Sequence, residues 1–346
     1  MVEDLYKFKV GSQISITIKD IARLLDVSHT TVSRALNDSP LISPATKKKI
    51  VETAKMLNYV PNYSARSLVQ NKSYNVGLIF STIGGSTSPD FFYETISGVT
   101  LAMEPGYNLV VNGVDSHTEL DWVDSKRFDG IVLVSQTDKD DAFIFYAMDR
   151  GIPLVVLNRN VAVDNLVNIL SADRIGAYNA VEHLIERGHR EIALIGGVPG
   201  FQATTERREG YFSALSDSGI PIRGDLMADG DFTMESGFSA MTKLLSVGVS
   251  PSAVFCLNDE MAIGAMKAIV NAGYRVPEDF SVVGFDDSKF SSYVTPSLTT
   301  VRRSIAEVGR VGTSSLMSIL NGNQVDAEKI FIATRFIARE SVRAVG

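Results

Sequence analysis

The chain has 346 residues, 45% of them apolar and 21% charged, with a formal net charge of −7. That length suits two or three domains; no apolar run approaches the ~20 residues that span a bilayer, and the one cysteine, Cys256, excludes an intrachain disulfide framework and points to a reducing cytoplasm. The average charge argues against nucleic acid, yet residues 1–72 carry eleven Lys and Arg against six acids, +5, which leaves −12 on the rest. A DNA-binding head on an acidic regulatory body would show this asymmetry.

Residues 1–15 lack a hydrophobic segment followed by a small-residue cleavage site, so they read as a disordered leader and not as a secretory signal. Next comes TIKDIARLLDVSHTTVSRALN, residues 17–37. Ile18, Ile21, Ala22, Leu24 and Leu25 fall at helical spacing, Val27 closes a turn, and Ser28 stands at the N-cap of a second helix whose Val32 and Leu36 face inward. His29, Thr30, Thr31, Ser33 and Arg34 are left pointing outward. Spacing alone leaves two readings open, a DNA recognition helix and an ordinary hairpin with a solvated face. A third helix is expected from Pro44 to about Leu57, with Lys47, Lys48, Lys49 and Lys55, which completes a helical head over 16–60. Residues 61–74 form a linker around NYSARSLV, which is too short for a stable isolated helix.

After Asn75 the pattern changes to short apolar runs alternating with amphipathic stretches. The runs are VGLIF (76–80), NLVVNG (108–113), GIVLVS (130–135), PLVVLN (153–158), EIALIGG (191–197), AVFCLN (253–258) and FSVVGFD (280–286). Such a series predicts parallel sheets joined by crossover helices, and several helices should stop at Gly188, Gly219 and Gly273. The 75–343 body is long for one doubly wound sheet. It divides near Asp173 into two Rossmann-like lobes, an N-lobe of about 75–173 and 305–332 and a C-lobe of about 174–301 and 333–343, with a cleft between them for a small molecule. No dinucleotide fingerprint, P-loop or metal-ligand spacing is present, so no cofactor, metal or catalytic residue is expected. Cys256 reads as a buried strand residue. His117, His183 and His189 read as surface or helix-end residues.

These residues carry a resemblance over about Ile16 to Arg343. TIKDIARLLDVSHTTVSRALN, YVPNYSARSL, GIPLVVLNR, VEHLIERGHREIALIGG, RREGYFSAL and the run PSAVFCLNDEMAIGAMKAIVNAGYRVPEDFSVVGFDDSKFSSYVTPSLTTVR are similar to the lactose-repressor (LacI/GalR) family of bacterial transcription regulators. HTTVSRALN and VVLNRN look most like its multiple-sugar (MsmR-type) branch. One departure is Asp26, in the head turn where many members have Gly; Asp tolerates the left-handed conformation better than most residues.

The resemblance implies a helix-turn-helix head joined to a periplasmic-binding-protein-like body of two lobes. It further implies a cytoplasmic homodimer on palindromic double-stranded operator DNA, acting as a repressor whose affinity is set by a sugar or another small metabolite, with no enzymatic activity. The chain shows no heptad tail, which fits a dimer better than a tetramer. A phosphoprotein corepressor or a non-sugar metabolite is the alternative control. At the DNA the resemblance implies His29 and Thr30 on base edges and Arg34 on guanine or phosphate. Thr17, Ser28, Thr31, Ser33 and Asn37 contact phosphates or hold the fold. In the linker, Asn62 and Ala65 flank Leu68, a wedge for the minor groove. In the cleft it implies Asn158, Arg207, Asn258 and Asp286 as a polar ring, and Phe232 as an aromatic wall. Arg159 ends the strand PLVVLN beside that ring; Ser81 and the pair Phe91 and Phe92 are candidates for the near wall. Helix capping is the competing role for Asp259 and Asp286.

Overall fold

Thr17 and Ser28 each open a short helix by satisfying its first backbone donors. The computed structural model describes residues 16–36, 38–59, 72–84, 87–246, 251–325 and 328–345. Asn37, Asn62, Ala65 and Leu68 lie outside them, as does most of the 61–74 linker. The chain separates into two units, 1–72 and 73–346.

The first unit holds α1 (Ile18–Leu25), α2 (His29–Leu36) and α3 (Pro44–Met56). Ile21, Ala22, Val32, Ala35, Ile50, Ala54 and Leu57 form its core. Asp26 closes α1 in the left-handed region (φ 52°, ψ 47°), its N–H bonded to the Ala22 carbonyl, so the turn is made with Asp where Gly would be free of strain. Ser43 accepts from the Thr46 N–H, and Pro44 follows at the first position of α3, where a missing N–H costs nothing.

The second unit contains two parallel sheets. One runs in the order β11-β5-β4-β3-β1-β2, built from Lys329–Ile332, Val167–Ser171, Leu154–Leu157, Gly130–Val134, Asn75–Phe80 and Asn108–Gly113. The other runs β7-β6-β8-β9, from Met227–Ala228, Ile192–Ile195, Ala253–Cys256 and Ser281–Val283. A separate antiparallel pair joins β10 (Thr300–Arg303) to β12 (Thr334–Ile337). The crossover helices are α4 (Pro89–Ala102), α5 (Asp141–Asp149), α6 (Asp173–Glu186), α7 (Gln202–Asp217), α8 (Met234–Ser246), α9 (Asp259–Asn271) and α10 (Ile305–Leu320). The strands of β1, β3, β4, β6 and β8 are buried almost throughout, as continuous apolar runs require when both faces are covered. Cys256 is buried in β8.

The chain passes between the lobes after β5, after β10 and between β11 and β12. Helices α4 and α10 pack closely on the first sheet; a Cβ on Gly98 would lie 1.9 Å from the Ala306 carbonyl oxygen, so only glycine allows that approach.

Five strands were not legible as apolar runs: β5, β7, β10, β11 and β12. β11 alternates exposed and half-buried residues at a sheet edge, β7 has two residues, and β10 ends in two arginines. His189 stands at the end of α6, its N–H bonded to the Leu184 carbonyl, and is not on the surface. It is buried, with Nδ1 2.8 Å from the Ser252 hydroxyl and Nε2 3.1 Å from the Arg343 carbonyl, and burial holds its pKa below the usual value.

Candidate functional site

In the head, local hydrogen bonds use up some polar groups and leave others free. The Asp20 carboxylate accepts from the Thr17 N–H at 2.9 Å and from its hydroxyl at 2.7 Å, which caps α1. Ser28 caps α2 by accepting from the Thr31 N–H at 3.0 Å, and its hydroxyl lies 2.8 Å from that of Thr31. Thr17, Ser28 and Thr31 therefore hold the helices; Thr31 and Ser33 are half-buried. His29, Thr30 and Arg34 stand exposed on or beside the first turns of α2.

The cleft between the two lobes of the body is organised around Arg207, which lies in the second turn of α7 and not at its start. Its guanidinium is 2% exposed. Nε donates to Asp173 at 3.0 Å, Nη2 to Asp286 at 2.9 Å and Nη1 to the Leu257 carbonyl, and the group stacks 3.9 Å from the Phe285 ring centroid. Asp286 sits in a left-handed conformation (φ 106°) after β9, and Asp173 opens α6. Burial alone would raise the Asp173 carboxyl, but the cations of Arg303 and Arg207 hold it below the usual carboxylate range.

Asn258 caps α9, accepting from the Met261 N–H at 2.9 Å, while its amide donates to the Phe232 carbonyl at 2.8 Å. That bond fixes Phe232, itself at φ 72°, with its ring stacked on Phe201 at 6.2 Å. Asn158 ends β4 at φ 68°, and its side-chain oxygen accepts from Arg303 at 2.7 Å. Arg207, Phe232, Asn258 and Asp286 line one chamber together, with Gln136 and Phe91; Asn158 lines the next.

Three expectations are corrected. Ser81 is buried, donating to Asp140 at 2.5 Å and accepting from the Gln136 N–H at 2.9 Å, so it shapes the strand ends from beneath. Of the expected pair Phe91 and Phe92, Phe91 borders the cleft, while Phe92 packs on Phe80 at 5.0 Å. Arg159 turns away, with Nε on the Ser135 hydroxyl at 2.7 Å and its terminal nitrogen paired with Asp141. Arg303, Asp173 and Gln136 are the residues that sequence reasoning missed. Arg303 ends a strand without an apolar run, and Asp173 entered only as the point where the body divides.

The two lobes touch across the cleft. The Gln202 N–H donates to the Gln136 carbonyl at 2.8 Å, the Lys289 N–H to Asp90 at 3.2 Å, and the Lys289 ammonium lies 4.7 Å from the Tyr93 ring centroid. The wide end of the cleft is rich in acids. Burial pushes Asp259 up to about 8, and burial with the nearby carboxylates pushes Glu260 up to about 7. Asp259 accepts from the Thr300 hydroxyl at 2.5 Å and from the Ser288 N–H at 2.6 Å, so it braces the cleft floor.

Comparison with known proteins places this geometry. A family model of bacterial regulatory proteins, lacI family, matches residues 17–62, and one of a periplasmic binding protein-like domain matches 181–342. The probable HTH-type transcriptional repressor ExuR of Bacillus subtilis (strain 168) is 50% identical over 328 residues, 95% of this chain and 98% of that one. The HTH-type transcriptional repressor PurR of Actinobacillus pleuropneumoniae serotype 3 (strain JL03) is 33% identical, over 94% and 98%. Among solved structures, a lac repressor dimer bound to operator and the anti-inducer ONPF superposes with a TM-score of 0.79 at 28% identity, covering 96% of this chain and 100% of that one. A complex of the transcriptional regulator CelR with cellobiose superposes with a TM-score of 0.72 at 31% identity, covering 94% and 99%. A head with an exposed polar helix, a two-lobed parallel-sheet body and these relatives along nearly the whole length lead to one conclusion: the chain belongs to the lacI family of bacterial regulatory proteins.

Proposed function

We propose that the protein is a transcriptional repressor that binds a palindromic operator as a homodimer in the cytoplasm and whose affinity for it is set by a small sugar in the interlobe cleft. It is a binding protein and not an enzyme. The observation that carries the reading is the cleft itself. Planar amide, carboxylate and guanidinium groups from residues 158, 207, 258 and 286 line adjoining chambers beside the Phe232 ring. Planar groups of this kind accept and donate pairs of hydrogen bonds in a fixed plane, which suits neighbouring sugar hydroxyls, and a flat ring offers an apolar face to a pyranose. On the DNA side His29, Thr30 and Arg34 read bases in the major groove, Thr17, Ser28, Thr31, Ser33 and Asn37 support that helix or reach phosphates, and Asn62, Ala65 and Leu68 act at the operator centre.

The test is operator binding by gel shift, with the purified chain and DNA from upstream of its own gene, in the presence of a sugar panel. One class of sugar should change operator affinity. Asp286→Ala should bind operator as the parent does and lose that response. A response that persists in Asp286→Ala places the effector elsewhere, and one evoked only by a phosphoprotein favours corepressor control.

A further inference from the structure

We infer that Arg303 is a gate that decides the size of the effector the cleft admits; this rests on the sugar reading above. The cleft is divided into chambers of ≈490, ≈120 and ≈40 Å³. The first is lined by Asp90, Glu94 and Glu260, the second by Asn160, Glu206 and Phe331, and the third by Gln136, Arg207 and Phe232. Arg303 borders all three, and no other described residue borders both the first and the second. The third chamber has room for little more than one water, whose share of liquid volume is about 30 Å³. A sugar ring that reaches Arg207 and Phe232 must therefore join chambers; Arg303 is the cation common to all three, and it shares the boundary of the first and third with Ser88, Phe91, Asn258 and Asp286.

Arg303 is held loosely for a buried cation. It is 8% exposed, and Nη2 donates to the neutral amide oxygen of Asn158 at 2.7 Å. Its Nε lies 3.4 Å from Asp173 Oδ1, within ion-pair range, yet neither atom makes a hydrogen bond; the other oxygen of Asp173 accepts from Arg207. The Phe91 ring covers it at 5.6 Å. Arg207, in contrast, is fixed by two carboxylates and a carbonyl. A guanidinium fork with a spare N–H can exchange Asn158 for ligand oxygens without losing its charge partner. Arg303 is also the last residue of β10, followed at once by Ser304 and α10, where the chain passes from one lobe to the other. Its displacement acts on a crossing between the lobes, so ligand size and lobe orientation are read by one side chain.

The experiment measures dissociation constants by calorimetry on the full chain and on Arg303→Ala and Arg303→Gln. The probes are pentoses, hexoses and their acids, with cellobiose and lactose as two-ring ligands. Asp173 keeps Arg207 in both variants, and melting curves check the fold. Arg303→Ala should move the ratio of one-ring to two-ring affinity at least tenfold toward the larger ligand, and Arg303→Gln, which can still donate to Asn158, should move it less. If Arg303→Ala does not fold, Arg303→Gln carries the measurement. Binding with an unchanged ratio in a folded variant overturns the gate and leaves the sugar reading standing. No binding of any sugar to any form overturns the sugar reading, and the gate with it.

Discussion

The head and the cleft solve opposite problems. On α2 the groups offered to a partner are exposed and have neighbours three or four positions away, with Ser28 and Thr31 spent on the cap and His29, Thr30 and Arg34 left in solvent. In the cleft the charged groups are buried and their partners are remote in sequence: Arg207 joins Asp173 and Asp286, which are 113 positions apart. A solvated side chain costs nothing to keep ready, whereas a buried guanidinium is stable only inside a full set of acceptors. Substitutions in the head should therefore change binding and spare the fold, while substitutions in the cleft should change both.

The strongest break of that contrast is Arg207→Met. It leaves Asp173 and Asp286 without their shared cation and should cost about 3–5 kcal/mol in urea unfolding of the body. A loss below about 1 kcal/mol would mean that the cleft charges are as independent as those of the head. Arg34→Ala should weaken operator binding by about 1–3 kcal/mol while sugar affinity and melting temperature stay unchanged, because Arg34 is exposed. A fall in melting temperature would place Arg34 in the head's packing.

Asp259 sharpens the comparison through pH. Its folded carboxyl titrates near 8 against an ordinary 3.8, so the folded state holds a proton that the unfolded chain has released. That contribution is full below the unfolded value and is lost as pH rises through the folded one, with a slope of up to ~1.4 kcal/mol per pH unit between the two. Asp259→Asn imitates the protonated acid and should flatten the stability profile between about pH 5 and 8, with a gain over the parent at the upper end; parallel profiles would show Asp259 ionised in the fold. The smallest effect is expected at Ser28→Ala. It removes the α2 cap and should cost ~1 kcal/mol in the head, read as a lower melting temperature of that unit with the body unchanged.

Legibility followed the same division. α1, α2 and α3 were readable because helix caps and 3.6-residue spacing are local, and the left-handed turn at Asp26 was flagged by the resemblance, which has Gly at that position in many members. The buried strands β1, β3, β4, β6, β8 and β9 and the edge strand β2 were readable as apolar runs. β10, β11 and β12 were not, because they are short, edge-like and paired with residues far away. In the cleft, Asn158, Arg207, Phe232, Asn258 and Asp286 were named from the resemblance, and the structure brings them into adjoining chambers. Ser81 and Arg159 lie just past strand ends and Phe92 in the first turn of α4, but all three turn aside. One residue of rotation around Phe91 and Phe92, or one acidic neighbour such as Asp141 beside Arg159, decides that, and neither leaves a periodic trace.

The sequence by itself determined the two-part organisation, the head helices with their exposed reading face, and the succession of buried strands, since each depends on neighbours within a few positions. Only the tertiary structure decided which side chains share the cleft. There, low polarity makes every charge seek a partner, and the partners come from opposite ends of the body. Arg303 is the clearest case. In sequence it is the second of two arginines that end a short strand; in the fold it borders three chambers, with its Nε in an ion pair but in no hydrogen bond.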